Sequence, residues 1–274
     1  MKILIAADME GISGVVYWDQ VDPAHAEYGR FRRLMTGDVN AAIQGAFDAG
    51  ASEVIVSDGH AYGRNLLIEE IDPRARLNSG SPAPLAMIQG VEDGVNGVMF
   101  VGYHARAGTA NAILDHTWSS RCVANLWLGD ILVGESGLNA AVCGHFNVPV
   151  ISVSGDQTVC SEALELLGSL EVAVVKWASG RMSADCLPPS VAQREIYAAA
   201  VRAVKRLVSG NAPAPFVVPV PVKVSVEFFQ SEMADKASLL PGVQRTAGRR
   251  VEFIAENLPI AYNGFRSAVS LARG

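Results

Sequence analysis

Ile3-Leu4-Ile5-Ala6-Ala7-Asp8-Met9-Glu10-Gly11 is the stretch whose reading decides the fold. Its apolar part is short, continuous and partly β-branched, the pattern of a strand buried on both faces of a parallel sheet. Side chains at i and i+2 of a strand share a face. Strand geometry carried through position 10 therefore aims Asp8 and Glu10 the same way, past the strand's carboxyl end, where open α/β sheets place their sites. Two adjacent carboxylates raise each other's pKa unless something positive lies between them, and a divalent cation serves. Taken alone, the pair also reads as two solvated loop acids.

Two later runs repeat the arrangement. Glu53-Val54-Ile55-Val56-Ser57-Asp58-Gly59 ends at His60, and Gly97-Val98-Met99-Phe100-Val101-Gly102-Tyr103 ends at His104. In a parallel sheet the three strand ends lie along one edge. Imidazole with carboxylate suits zinc, and also manganese, iron or cobalt. Residues 123–128 and 131–133 flank Gly129-Asp130 as a hairpin candidate, and Glu135 follows its second arm. Asp8, Glu10, His60, His104 and Glu135 exceed what one tetrahedral zinc takes, and they suit two divalent ions sharing a carboxylate. His116 lies in a polar stretch near this set. It reads equally as a general acid or base and as a surface histidine, since geometry must decide. His25 and His145 have no special context.

The chain has 274 residues, 50% hydrophobic and 18% charged, enough for a sizeable core in one large or two moderate domains. Strands alternate with helical stretches through the first half. That predicts an α/β fold, a mostly parallel sheet with helices on both faces. Residues 30–49 carry a helical stripe ended by Gly50, and 191–208 a second helix. The loop over 11–29 is long for a βα connection, and loops of that length are often functional or mobile. The turn-rich segment 210–215 precedes a proline-containing run, 216–229, which reads as an edge strand partnered by 251–254. The expected division is a catalytic α/β domain over 1–187 and a smaller α+β domain over 188–274, the latter open to earlier segments.

The formal net charge is −6, with no basic tract, so no nucleic-acid partner is expected. The amino-terminal apolar run is too short for a secretory or membrane segment, and the four scattered cysteines lack a C-x-x-C pair. A cytoplasmic protein with reduced thiols and no membrane partner is the expectation.

Asp8-Met9-Glu10-Gly11-Ile12-Ser13-Gly14, Ser57-Asp58-Gly59-His60, Gly102-Tyr103-His104-Ala105-Arg106 and Val133-Gly134-Glu135-Ser136-Gly137-Leu138-Asn139-Ala140 together resemble the signature blocks of the M55 family, the zinc-dependent D-aminopeptidases, over nearly the whole chain. The resemblance implies two zinc ions bridged by Asp8, with Glu10 and His60 completing one site and His104 and Glu135 the other. It implies His116 as the catalytic histidine. It also implies a homo-oligomer, a ring-shaped decamer that admits short peptides or amino acid amides. The residues flanking His116 and Gln157, where a second acid is expected, depart from the family pattern and bear on side-chain and chirality preference. Asp115, Asp156 or a metal-site carboxylate are the candidates for holding the substrate ammonium. Cleavage of a non-peptide amide or lactam by the same ligands is the alternative enzyme reading, and a non-catalytic metal-binding scaffold the alternative of another class.

Overall fold

In the computed structural model, which describes residues 1–274, strand β1 (Lys2–Ala7) is an interior strand of a seven-stranded sheet. Parallel neighbours flank it: β2 (Glu53–Asp58) and β3 (Ala75–Asn78) on one side, β4 (Gly97–Tyr103) on the other. The hairpin β5 (Val123–Leu128) and β6 (Ile131–Val133) leaves this sheet, and β7 (Val150–Asp156) and β8 (Glu171–Gly180) return to it in parallel. Strand β9 (Ser183–Cys186) adds an antiparallel edge.

Period-two alternation decides what each face of β1 meets. Ile3, Ile5 and Ala7 pack with helices α1 (Tyr28–Asp48) and α4 (Pro189–Val208). Leu4 and Ala6 join the opposite apolar cluster, with residues of α2 (Glu135–His145) and α3 (Gln157–Leu167). All five β1 side chains from Ile3 to Ala7 are inaccessible to solvent. Burying an Ile or Leu of this kind contributes about 1.5–3 kcal/mol. The strand is thus anchored by packing on both faces, and its carboxyl end has a defined place.

A second, antiparallel sheet combines the hairpin β5–β6 with β10 (Val222–Phe228), β11 (Gln244–Arg245) and β12 (Arg250–Ala255). Helices α5 (Ser231–Ala237) and α6 (Leu258–Arg273) pack against it. This sheet takes strands from both sides of position 187, and α4, beyond that position, packs on α1 and β8. The expectation of an edge strand over 216–229 is corrected. β10 is a central strand, paired on both sides by β12 and β5. Pro219 and Pro221 lie before Val222, where no ladder hydrogen bond is required of them.

Strand geometry stops at Ala7, one residue before the first acid, so the reading of Asp8 and Glu10 as strand neighbours is also corrected. The chain bends instead across β4. Asp8 N–H donates to the Val101 carbonyl and Gly11 N–H to the Gly102 carbonyl, each at 2.8 Å. A side chain on Gly11 would place its Cβ 1.9 Å from the Tyr103 carbonyl oxygen, so only glycine permits this approach.

Candidate metal centre

The ends of β2, β1 and β4, adjacent in the sheet, bring His60, the Asp8–Glu10 bend and His104 together in that spatial order. Glu135 arrives from the second sheet's side, at the first position of α2 directly after β6. Asp8 lies in the middle. Its Oδ1 is 3.4 Å from His60 Nδ1 and its Oδ2 is 3.4 Å from His104 Nε2. Glu10 Oε2 is 3.1 Å from His60 Nδ1, and Glu135 Oε1 is 3.0 Å from His104 Nε2. His116 stacks on His104 with ring centroids 3.9 Å apart, its Nε2 3.6 Å from Glu135 and 3.8 Å from Glu10. The structure thus brings together all six residues singled out in the sequence.

Each of the three histidines is tethered through one ring nitrogen. His60 Nε2 pairs with the Val21 carbonyl at 2.8 Å, His104 Nδ1 with that of Ala105 at 3.0 Å, and His116 Nδ1 with that of Leu114 at 2.8 Å. A carbonyl can only accept, so the tethered nitrogen carries the hydrogen and the other nitrogen faces the carboxylates. Such outer hydrogen bonds set the tautomer and aim a ligating ring. The long loop over 11–29 thereby contributes to the site, through the Val21 carbonyl and through Trp18, which stands edge-on to His116 at 5.4 Å.

The donor set fits cations. Asp8 Oδ2 and His104 Nε2 are buried and neither makes a hydrogen bond. An unsatisfied buried polar atom costs about 1–3 kcal/mol, so two that face each other require a reason. Asp8 with Glu10 and His60, and Asp8 with His104 and Glu135, form two groups whose ligand atoms lie within 4.8 Å of one another; a third, Glu10 with His104 and His116, overlaps both. Burial disfavours the Asp8 carboxylate, but His104 and His60 outweigh it and hold the group well below the usual carboxylate range. Burial likewise pulls His60 and His104 down. The carboxylates override it, Glu10 foremost for the first and Glu135 for the second, and both imidazoles lie well above their ordinary range. Cations would displace those protons, since a metal competes with protons for its ligands. His116 moves the other way. Burial and then the charge of His104 lower it, which favours a neutral imidazole.

The Asp8–Val15 segment is clamped from both flanks by residues that the sequence reading passed over. On α1, Asp38 accepts from the Ser13 backbone N–H and hydroxyl, both at 2.9 Å. On β8, the buried Lys176 donates to the carbonyls of Glu10, Ile12 and Val15. Lys176 closes the apolar run Val172-Ala173-Val174-Val175, the same strand-end signal that marks His60 and His104. Burial pushes the Asp38 carboxyl from 3.8 up to about 6, against the hydrogen bonds from Ser13. A raised folded-state value means that Asp38 adds stability below pH ~4 and that this contribution is lost as pH rises through ~6. The span corresponds to about 3 kcal/mol. Urea unfolding of Asp38→Asn across pH 4 to 7 is expected to lack this slope, and an identical slope in both proteins would exclude it.

The remaining candidates have other partners. Asp156 caps α3 through the N–H groups of Thr158 and Val159 and also accepts from Ile113 N–H. Asp115 accepts from Arg181 Nε at 2.6 Å and from Gly108 N–H. Gln157 bonds the Asn111 carbonyl and the Ala178 N–H. His25 Nδ1 lies 3.6 Å from Asp19 Oδ1 on the exposed surface, and His145 packs edge-on to Phe146. All four cysteines are free. No helix is long and apolar enough to cross a membrane.

Comparison with known proteins agrees with this geometry. The model of a peptidase family described as D-aminopeptidase, M55, matches residues 1–267. A D-aminopeptidase of Bacillus subtilis (strain 168) is 36% identical over 273 residues, covering 99% of this chain and 98% of the relative. A solved structure, described as the Zn-dependent D-aminopeptidase DppA from Bacillus subtilis, a self-compartmentalizing protease, superposes with a TM-score of 0.96 at 35% identity, covering 100% of this chain and 98% of that one. The chain belongs to the M55 peptidase family of D-aminopeptidases.

Proposed function

We propose that this protein is a zinc-dependent aminopeptidase that releases an N-terminal D-residue from short peptides or amino acid amides, with two ions in its site. The observation that carries the reading is the pair of partnerless buried atoms, Asp8 Oδ2 and His104 Nε2, at the meeting point of five potential ligands. Family membership and the description of the Bacillus subtilis relative as Zn-dependent support the choice of reaction and metal. In this reading Asp8 is shared, Glu10 and His60 complete one half, and His104 and Glu135 the other.

Bound divalent cations supply Lewis acidity, polarising the scissile carbonyl and lowering the pKa of a water. His116 moves the proton. Its Nδ1–H is committed to Leu114, so Nε2 is the atom that accepts a proton and returns it to the amine nitrogen as the C–N bond breaks. Stacking on His104 and the edge of Trp18 hold the ring in that orientation. Arg181 reinforces it by binding the carboxylate and carbonyl of the preceding residue, Asp115.

The reading includes self-association in a cytoplasmic setting, with ten subunits as the count that the family resemblance implies. Exposed Val217, Leu239 and Ile254 are apolar surface available for such contacts. One experiment tests the whole. Chelation is expected to abolish hydrolysis of D-aminoacyl dipeptides and amides, zinc to restore it, and L-configured counterparts to turn over poorly. Sedimentation of the same sample reads the assembly. Turnover of lactams alone, or tightly held zinc with no amide hydrolysis, would reject the aminopeptidase reading, and a monomer would reject the assembly.

A further inference from the structure

We propose that Lys176 is a positioning residue for the Glu10–His60 half of the centre, acting through the backbone of the Glu10–Val15 turn. The inference rests on the two-ion reading above. Lys176 lies on β8, separated from β1 by β4 and β7, and its side chain is wholly buried. Its Nζ is 2.6 Å from the Glu10 carbonyl oxygen, 3.0 Å from that of Ile12 and 2.6 Å from that of Val15. An ammonium has three N–H donors, and here all three are spent on main-chain carbonyls of one turn.

A buried charge is normally neutralised by an ion pair, because burial without one is costly. Lys176 has no direct carboxylate partner, and Asp156, Asp38 and Glu10 act on its charge only through space. Three converging carbonyl dipoles do that work, so the turn is folded around the ammonium. The Glu10 carbonyl points to Lys176 while the Glu10 side chain points to His60. Removing the ammonium leaves the buried Glu10 and Val15 carbonyls without a donor and the Ile12 carbonyl with only the Val15 N–H. The turn then relaxes and takes Glu10 off His60. The other half is held by different elements. His104 directly follows β4 and Glu135 opens α2, and Asp8 stays tied to Val101 through its own N–H. The loss is therefore one-sided.

The test is metal content of the folded protein. Wild type, Lys176→Met and Lys176→Gln are dialysed against buffered free zinc and assayed for zinc per chain, with circular dichroism to confirm folding. The remote core variant Val204→Ala controls for general destabilisation. Two ions are expected for wild type and Val204→Ala. At the same free zinc the Lys176 variants are expected to hold one, the second binding at least tenfold more weakly. Unchanged affinity for both ions, loss of both, or equal loss in Val204→Ala overturns the assignment. Failure of both Lys176 variants to fold makes the residue structural and overturns it too. A wild type holding a single ion overturns the two-ion reading and this inference with it.

Discussion

Asp8→Ala is expected to bind neither ion and to lose on the order of 10⁴-fold or more in kcat/KM, because the rate enhancement of metal-assisted hydrolysis depends on the metal. The reason is positional. β1 runs between β2 and β4, so the residue after its last apolar side chain reaches the histidines of both neighbours. One Asp8 oxygen faces His60 and the other faces His104. In the proposed two-ion arrangement Glu10→Ala and Glu135→Ala each remove a ligand from one half only, and should retain one ion. Zinc analysis of the three variants beside wild type checks this. Two ions in Asp8→Ala, or equal losses in all three, would exclude a shared role for Asp8. Removing one member of a buried charge cluster costs about 3–5 kcal/mol, so circular dichroism on the same samples confirms that the apolar packing on both faces of β1 keeps the variant folded.

His116→Ala should keep its zinc and lose activity. General acid–base groups contribute about 10²–10⁴-fold, and a fall of that size in kcat with KM little altered is the expected result. The histidine is not in either of the two ligand groups that share Asp8, and its imidazole touches that set only by stacking on His104 and at 3.6–3.8 Å from Glu135 and Glu10. Steady-state kinetics on a D-aminoacyl amide, with metal content measured on the same sample, separates loss of proton transfer from loss of cations. A kcat within a fewfold of wild type would remove His116 from the chemistry. Zinc lost along with activity would make it a ligand instead.

These two residues differ in how they could be found. Asp8, His60 and His104 share a local mark, an apolar β-branched run that ends at a residue able to bind metal, and parallel sheets bring such ends to one edge. His116 has no such mark. It follows the left-handed Leu114, whose carbonyl holds Nδ1, and its place depends on Arg181, 65 positions later, binding Asp115. Proline content suggested an edge position for 216–229, yet the strand begins only after the last proline and is paired on both sides. Helix α4 follows the change in texture near residue 188, but it covers the first sheet beside α1. Which surface an amphipathic helix finds is a matter of non-local packing, and its own periodicity does not specify it.

The amino-acid order by itself determined the parallel α/β layer, the strand ends that carry Asp8, His60 and His104, and the hairpin that delivers Glu135, because hydrophobic period and turn chemistry are local properties. Only the tertiary structure decided that the acids meet through a bend across β4, that a lysine three strands away holds that bend, and that three main-chain carbonyls orient the imidazoles. Buried donors and acceptors must be satisfied wherever the folded chain brings a partner, and that partner's distance along the sequence carries no weight in the matter.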